Sequence, residues 1–150
     1  MKRQLDDRQL TMNFDTLFEI PTPVDPTAGS MDYGLELRHL ISETLKNCKK
    51  DRFAIAGEMS RLTGREITKS MLDSWSAESR TEWRFPFEFA TAFEVATGTY
   101  ILTEFLARRR GLKVYGGKAI YAAEIGNLET QKAEINNKIK LLKQHLDSKH

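Results

Sequence analysis

A chain of 150 residues with 40% apolar and 29% charged side chains has the composition of an ordinary globular protein, with length for a core and appendages. The formal net charge of +2 is too small to announce a nucleic-acid partner by itself, and no apolar run approaches the roughly 20 residues that cross a bilayer. The opening MKRQLDDRQL lacks the apolar stretch of a signal peptide and Cys48 stands alone. The expectation is therefore a soluble cytoplasmic protein with no membrane partner, no intrachain disulfide and no cysteine zinc cluster.

Residues 1–31 read as an extended N-terminal arm, with three basic and five acidic side chains. Pro21, Pro23 and Pro26, followed by Thr27, Ala28, Gly29 and Ser30, have linker composition. Ahead of them Phe14, Leu17, Phe18 and Ile20 form a short apolar cluster. Two uses fit it: a strap across the protein's own core, or a docking peptide for a protein partner or a neighbouring subunit.

Residues 32–115 have the apolar spacing of a compact bundle of about five short helices. Leu37, Leu40, Ile41, Leu45 and Cys48 line a first helix, with Cys48 expected as a small buried side chain. Asp51 is placed to cap a second helix with Ile55, Ala56, Met59 and Leu62 inward, and Gly64 to stop it. A short third helix starts at Thr68 and turns Met71, Leu72 and Trp75 inward. In WRFPFEFATAF, Pro86 suits the first turn of a fourth helix carrying Phe89, Ala90, Phe93 and Ala96 and ending near Gly98. These aromatics read as core, since their spacing is helical and only Arg84 is interleaved among them. Thr99 is placed to cap a fifth helix with Leu102, Phe105 and Leu106 inward, ended by Gly111.

Residues 118–147 read as one long coiled-coil oligomerisation helix. Tyr121, Ile125, Leu128, Lys132, Ile135, Ile139, Leu142 and Leu146 follow one another at alternating spacings of four and three, an a/d heptad seam. The stripe is too narrow for a buried core helix and calls for a partner helix, by self-association or by packing back on its own domain. With Ile125 at position a, Glu124 and Glu129 flank the seam early, while Lys138 and Lys143 flank it late. That arrangement leans toward an antiparallel pair or a higher bundle.

The second and third helices have the makings of a helix-turn-helix. Ala56 and Gly57 offer small residues for the crossing, Ile67 anchors the connection, and Thr68, Leu72 and Trp75 cap and seat the second helix. Its outward residues are then Lys69, Ser70, Asp73 and Ser74, suited to reading base edges. Arg65, Arg80 and Arg84, with Lys49, Lys50, Arg52 and Arg61, are candidates for phosphates of double-stranded DNA. The connection Leu62–Ile67 is long for this motif, and Glu66, Asp73 and Glu78 lie close by; a plain helical hairpin is the competing reading. The stretch MSRLTGREITKSMLDSW, with WRFPFEFATAFEVATG and FLARRRG, resembles small helix-turn-helix regulatory proteins of Mu-like phages and prophages. It is similar, more loosely, to the phage regulatory protein CII family. The resemblance spans about residues 51–112 and implies phage-type regulation of transcription or replication through DNA, with Lys69, Ser70 and Ser74 in the recognition positions.

No enzyme signature accompanies these elements. His39, His145 and His150 pair with no acid at metal-ligand spacing, and GxSxG, HExxH and Walker sequences do not occur. No cofactor and no metal site is expected. The Arg108–Arg110 run is open to two readings, a solvated helix end or a contact to phosphate or an acidic partner. The alternative to a DNA-binding regulator is a non-enzymatic adaptor that recruits proteins through the arm and the coiled coil.

Overall fold

The computed structural model describes residues 21–148, and among them every regular element is helical. In chain order these are α1 (Gly34–Asn47), α2 (Arg52–Thr63), α3 (Lys69–Ser76), a 3-10 turn (Phe87–Phe89), α4 (Ala90–Thr97), α5 (Ile101–Arg109) and α6 (Lys118–Asp147). The apolar cluster from Phe14 to Ile20 and the terminal His150 lie outside the described residues. The described chain divides into two units, one ending at Lys113 and one beginning at Val114.

Local chemistry sets most helix ends in the first unit. Asp51 caps α2 by accepting from the Ala54 N–H at 2.8 Å, and Thr68 caps α3 by accepting from Met71 at 3.2 Å. Gly64 and Gly98 close α2 and α4 in the left-handed conformation. The expected cap of α5 differs: Tyr100 holds the N-cap position, and the Thr99 hydroxyl bonds Thr97 at 3.0 Å instead. A buried Glu94 on α4 does the capping. Its carboxylate accepts from the Thr103 N–H at 2.7 Å and the Thr103 hydroxyl at 2.8 Å. A negative group at a helix N-terminus satisfies orphan donors and suits the dipole, so α4 and α5 are joined by a polar clasp.

The core gathers Ile41 and Leu45 of α1, Ile55, Ala56 and Met59 of α2, Leu72 and Trp75 of α3, and Phe93 and Ala96 of α4. α2 packs on α4, and α3 is held between α1 and α2. A chain of rings runs behind α3: Trp75 to Phe85 at 5.3 Å edge-on, Trp75 to Phe89 at 5.9 Å, and Phe85 to Phe93 at 5.7 Å. Two aromatics expected in this core are not there. Phe87 is 76% exposed, because Pro86 begins a 3-10 turn rather than an α-helix and shifts the spacing, and Trp83 is 49% exposed in the turn before it, where its backbone N–H donates to the Arg80 carbonyl. Leu62, expected inward on α2, is also exposed, and Cys48 is half-buried with its thiol 3.8 Å from the Thr97 carbonyl.

Residues 21–31 are tied to α5. The Val24 N–H donates to the Arg109 carbonyl at 2.9 Å, and the Arg109 guanidinium donates to the Ser30 carbonyl and pairs with Glu36. That guanidinium also lies over the Tyr33 ring at 5.0 Å and the Phe105 ring at 5.5 Å. Of the Arg108–Arg110 run, the middle residue is thus turned inward as a fastener, while its neighbours are exposed. Gly111 is required twice over at this junction. Its φ is +70°, and a Cβ there would stand 2.8 Å from Cδ of Pro23.

α6, in the second unit, has 30 residues and no buried side chain. Ile125, Leu128, Ile135, Ile139, Leu142 and Leu146 are all exposed. At 1.5 Å per residue the helix is about 45 Å long.

Phe93, wholly buried against α2 and the aromatic chain, sets a test of this core. Phe93→Ala should cost about 3–5 kcal/mol in chemical denaturation, whereas Phe87→Ala should change stability by less than about 0.5 kcal/mol.

Candidate nucleic-acid interface

The connection between α2 and α3 comprises residues 64–68 and is clamped by a side chain that sequence reasoning passed over. The Ser60 hydroxyl accepts from the Ile67 N–H at 2.9 Å and lies 3.0 Å from the Ile67 carbonyl and 2.8 Å from that of Ala56, to either of which it can donate. Buried Ile67 then plugs the core. The turn, although long, is therefore held at its middle by a hydrogen bond and at its end by the Thr68 cap. Ala56 sits buried at the helix contact as expected, but Gly57 does not: a Cβ there would meet nothing within 4 Å.

α3 has eight residues, about 12 Å of helix. Leu72 and Trp75 face the core, and Thr68 and Ser70 are exposed. Ser74 is not outward, which corrects the expectation: it is only 3% exposed. The loop after α3 folds back so that the Arg80 guanidinium donates to the Ser74 hydroxyl at 2.7 Å, and Ser74 donates to the Ser70 carbonyl at 2.9 Å. Arg80 is thereby committed to holding this loop on the helix. Arg38, buried in α1, fastens the same loop from the other side by donating to the Ala77 and Thr81 carbonyls. Arg84 is exposed and lines a cleft of about 450 Å³ with Trp75, Phe85 and Arg38.

Charge on the outward side is balanced locally. Lys69 donates to Asp73 at 2.8 Å, and Arg52 of α2 reaches the other oxygen of the same carboxylate. Two cations share one anion, leaving a net charge of +1. The Lys69 ammonium, followed by the Arg52 guanidinium, holds the Asp73 carboxyl below its ordinary value of 3.8, with partial burial opposing them. Arg65 is exposed at the start of the turn, 3.9 Å from Glu88 and over the Phe89 ring at 5.8 Å. Arg61 is paired with Glu58 on α2, and Lys50 donates to the Ala96 carbonyl. Phe53 was missed: it is 71% exposed beside this patch, with Lys69 5.9 Å from its ring. The only hint in the sequence is a large apolar residue off the inner stripe of α2.

Among the described residues no three His, Cys, Asp or Glu side chains gather in a way that would hold a metal ion. His39 meets Glu78 at 3.1 Å on the surface. No helix among the described residues is long and apolar enough to cross a membrane.

Two measurements test the geometry. Ser60→Ala removes the acceptor for a buried N–H and should cost about 1–3 kcal/mol, read by chemical denaturation. Asp73 has a lowered folded-state pKa, so its contribution is present above the ordinary value and is lost as pH falls through the folded one. The gap in melting temperature between the protein and Asp73→Asn should therefore stay constant near neutrality and close below about pH 4. Comparison with protein-family models, with curated proteins and with solved structures finds no match to this chain.

Proposed function

We propose that the first unit binds double-stranded DNA through the exposed side of α3 and the turn before it, as a phage-type regulatory protein that works as an oligomer. The observation that carries this reading is the mounting of α3. A short helix, capped at Thr68 and seated by Leu72 and Trp75, holds an outward edge of small polar and cationic groups at the surface. Two turns of helix match the width of a major groove, and short polar side chains at the leading end reach base edges.

The roles follow from what each side chain is free to do. Ser70 is the exposed hydroxyl next to the capped end and takes a base-edge role. Thr68 spends one lone pair on the cap and retains its hydroxyl hydrogen for a phosphate or base. Arg65 and Lys69 supply cationic contacts to the backbone, and Arg52 stands beside them; Phe53 offers an apolar face to a thymine methyl or a sugar. Ser74 has no place in this scheme, and Arg80 acts by fixing the loop. Arg84 is left as a flanking cation.

Binding of a duplex pool, followed by fluorescence anisotropy over a range of salt, tests the reading. Affinity should fall with salt, and Lys69→Ala or Arg65→Ala should each reduce the slope by about 0.9. Ser70→Ala should relax sequence preference, and Phe53→Ala should weaken binding without lowering stability. No retention of duplex even at low salt would remove the proposal and favour a protein-recruiting adaptor.

A further inference from the structure

The second unit presents a different problem. α6 runs unbroken from Lys118 to Asp147 and leaves every seam residue exposed. A regular a/d stripe of this length is stable in water only against another helix. Three features of the helix select the occupant and its direction.

The first is the flanking charge. In a parallel pair, a g residue of one helix meets the e residue five positions later on the other, which places Glu124 against Glu129 and Lys138 against Lys143. All four contacts in a symmetric parallel pair are then repulsive. In an antiparallel pair g faces g and e faces e, so that Glu124 meets Lys138 and Glu129 meets Lys143. All four become attractive.

The second is Lys132, which occupies an a position in the middle of the seam. Parallel pairing sets it against its own copy in one layer. Antiparallel pairing joins Tyr121 with Leu146, Ile125 with Leu142, Leu128 with Ile139, and Lys132 with Ile135. Each layer mates an a residue with a d residue, and the two lysines no longer share a layer. The third is a pair of apolar residues outside the seam, Ile120 and Leu141, both exposed. The antiparallel register brings Ile120 of one helix to within about 9 Å, along the axis, of Leu141 of the other on the same side of the pair. A parallel pair puts them at opposite ends.

We infer that α6 is covered by the α6 of a second copy of this chain, running antiparallel and centred between Ala133 and Glu134. The inference rests on α6 alone and does not depend on DNA binding by the first unit. Its consequence is architectural: the two chains enter the coiled coil at opposite ends, with the Lys118 positions about 45 Å apart along its axis.

The 150-residue chain is tested by light scattering or sedimentation at micromolar concentration, with the sequence variant Lys138→Glu as the discriminator. An antiparallel pair turns two attractive contacts into repulsive ones and should lose roughly tenfold in association, restored by adding Glu124→Lys. A parallel pair would gain affinity from Lys138→Glu, because the new glutamate meets Lys143. Spin labels at Ala123→Cys and Thr130→Cys in a Cys48→Ser background give a second readout. Antiparallel helices offset the two 123 positions by about 31 Å along the axis and the two 130 positions by about 10 Å, whereas parallel helices give the same spacing at both. A dimer that Lys138→Glu weakens, with the longer distance at 123, supports the proposal. A monomer, a gain from Lys138→Glu, or equal label distances would overturn it.

Discussion

The burial of Leu72 and Trp75 beneath α3 is the contact on which the rest of the first unit depends. A helix of eight residues is too short to persist in water by its own hydrogen bonds. Its existence is owed to the wall of Phe85, Phe89 and Phe93 on one side and of α1 and α2 on the other. That wall in turn stands because the 3-10 turn and α4 carry Phe89 and Phe93, with Phe85 just ahead of them, and because α5 is clasped to α4 through Glu94. What looks like a surface helix is the outermost part of a continuous packing arrangement.

The same arrangement decides which polar groups face outward. Arg38 and Arg80 fasten the loop after α3 from two directions, and the loop covers Ser74. On the other flank, Arg52 and Lys69 converge on Asp73. An ion cluster of this kind orients its long side chains before any partner arrives, which lowers the entropy lost on contact. It also caps the net positive charge of the patch, so that affinity for a polyanion would be moderate and recognition would weigh more on Ser70, Thr68 and Phe53. Electrostatic attraction alone does not dominate such a surface.

Much of the fold was legible in the sequence because helices are written in local rules. The i, i+3, i+4 spacing of Ile41 and Leu45, of Ile55 and Met59, and of Leu72 and Trp75 located three helices, and Asp51, Thr68, Gly64 and Gly98 marked their ends. Most of the failures involve groups meeting across the fold. Thr99 looked like a cap until Glu94, nine residues before Thr103, took the N-terminus of α5. Ser74 has the helical phase of a surface residue, and only the returning loop hides it. Ser60 and Arg38 carry no signal at all, since a hydroxyl that clamps a turn and a guanidinium that ties a loop are recognisable only once their carbonyl and amide partners are in place. Phe87 falls outside the core because a 3-10 turn has a different period from the α-helix that follows it, and Trp83 because it lies in a loop turn rather than on a helix.

The central claim is that the outward edge of α3 is a nucleic-acid reader, and amide chemical-shift mapping addresses it most directly. Titrating the isotope-labelled protein with short duplex DNA should shift the amides of residues 65–73 and of Phe53 first and furthest, while those of α5 stay in place. Shifts confined to other surfaces, or none at concentrations where the duplex is in excess, would contradict it.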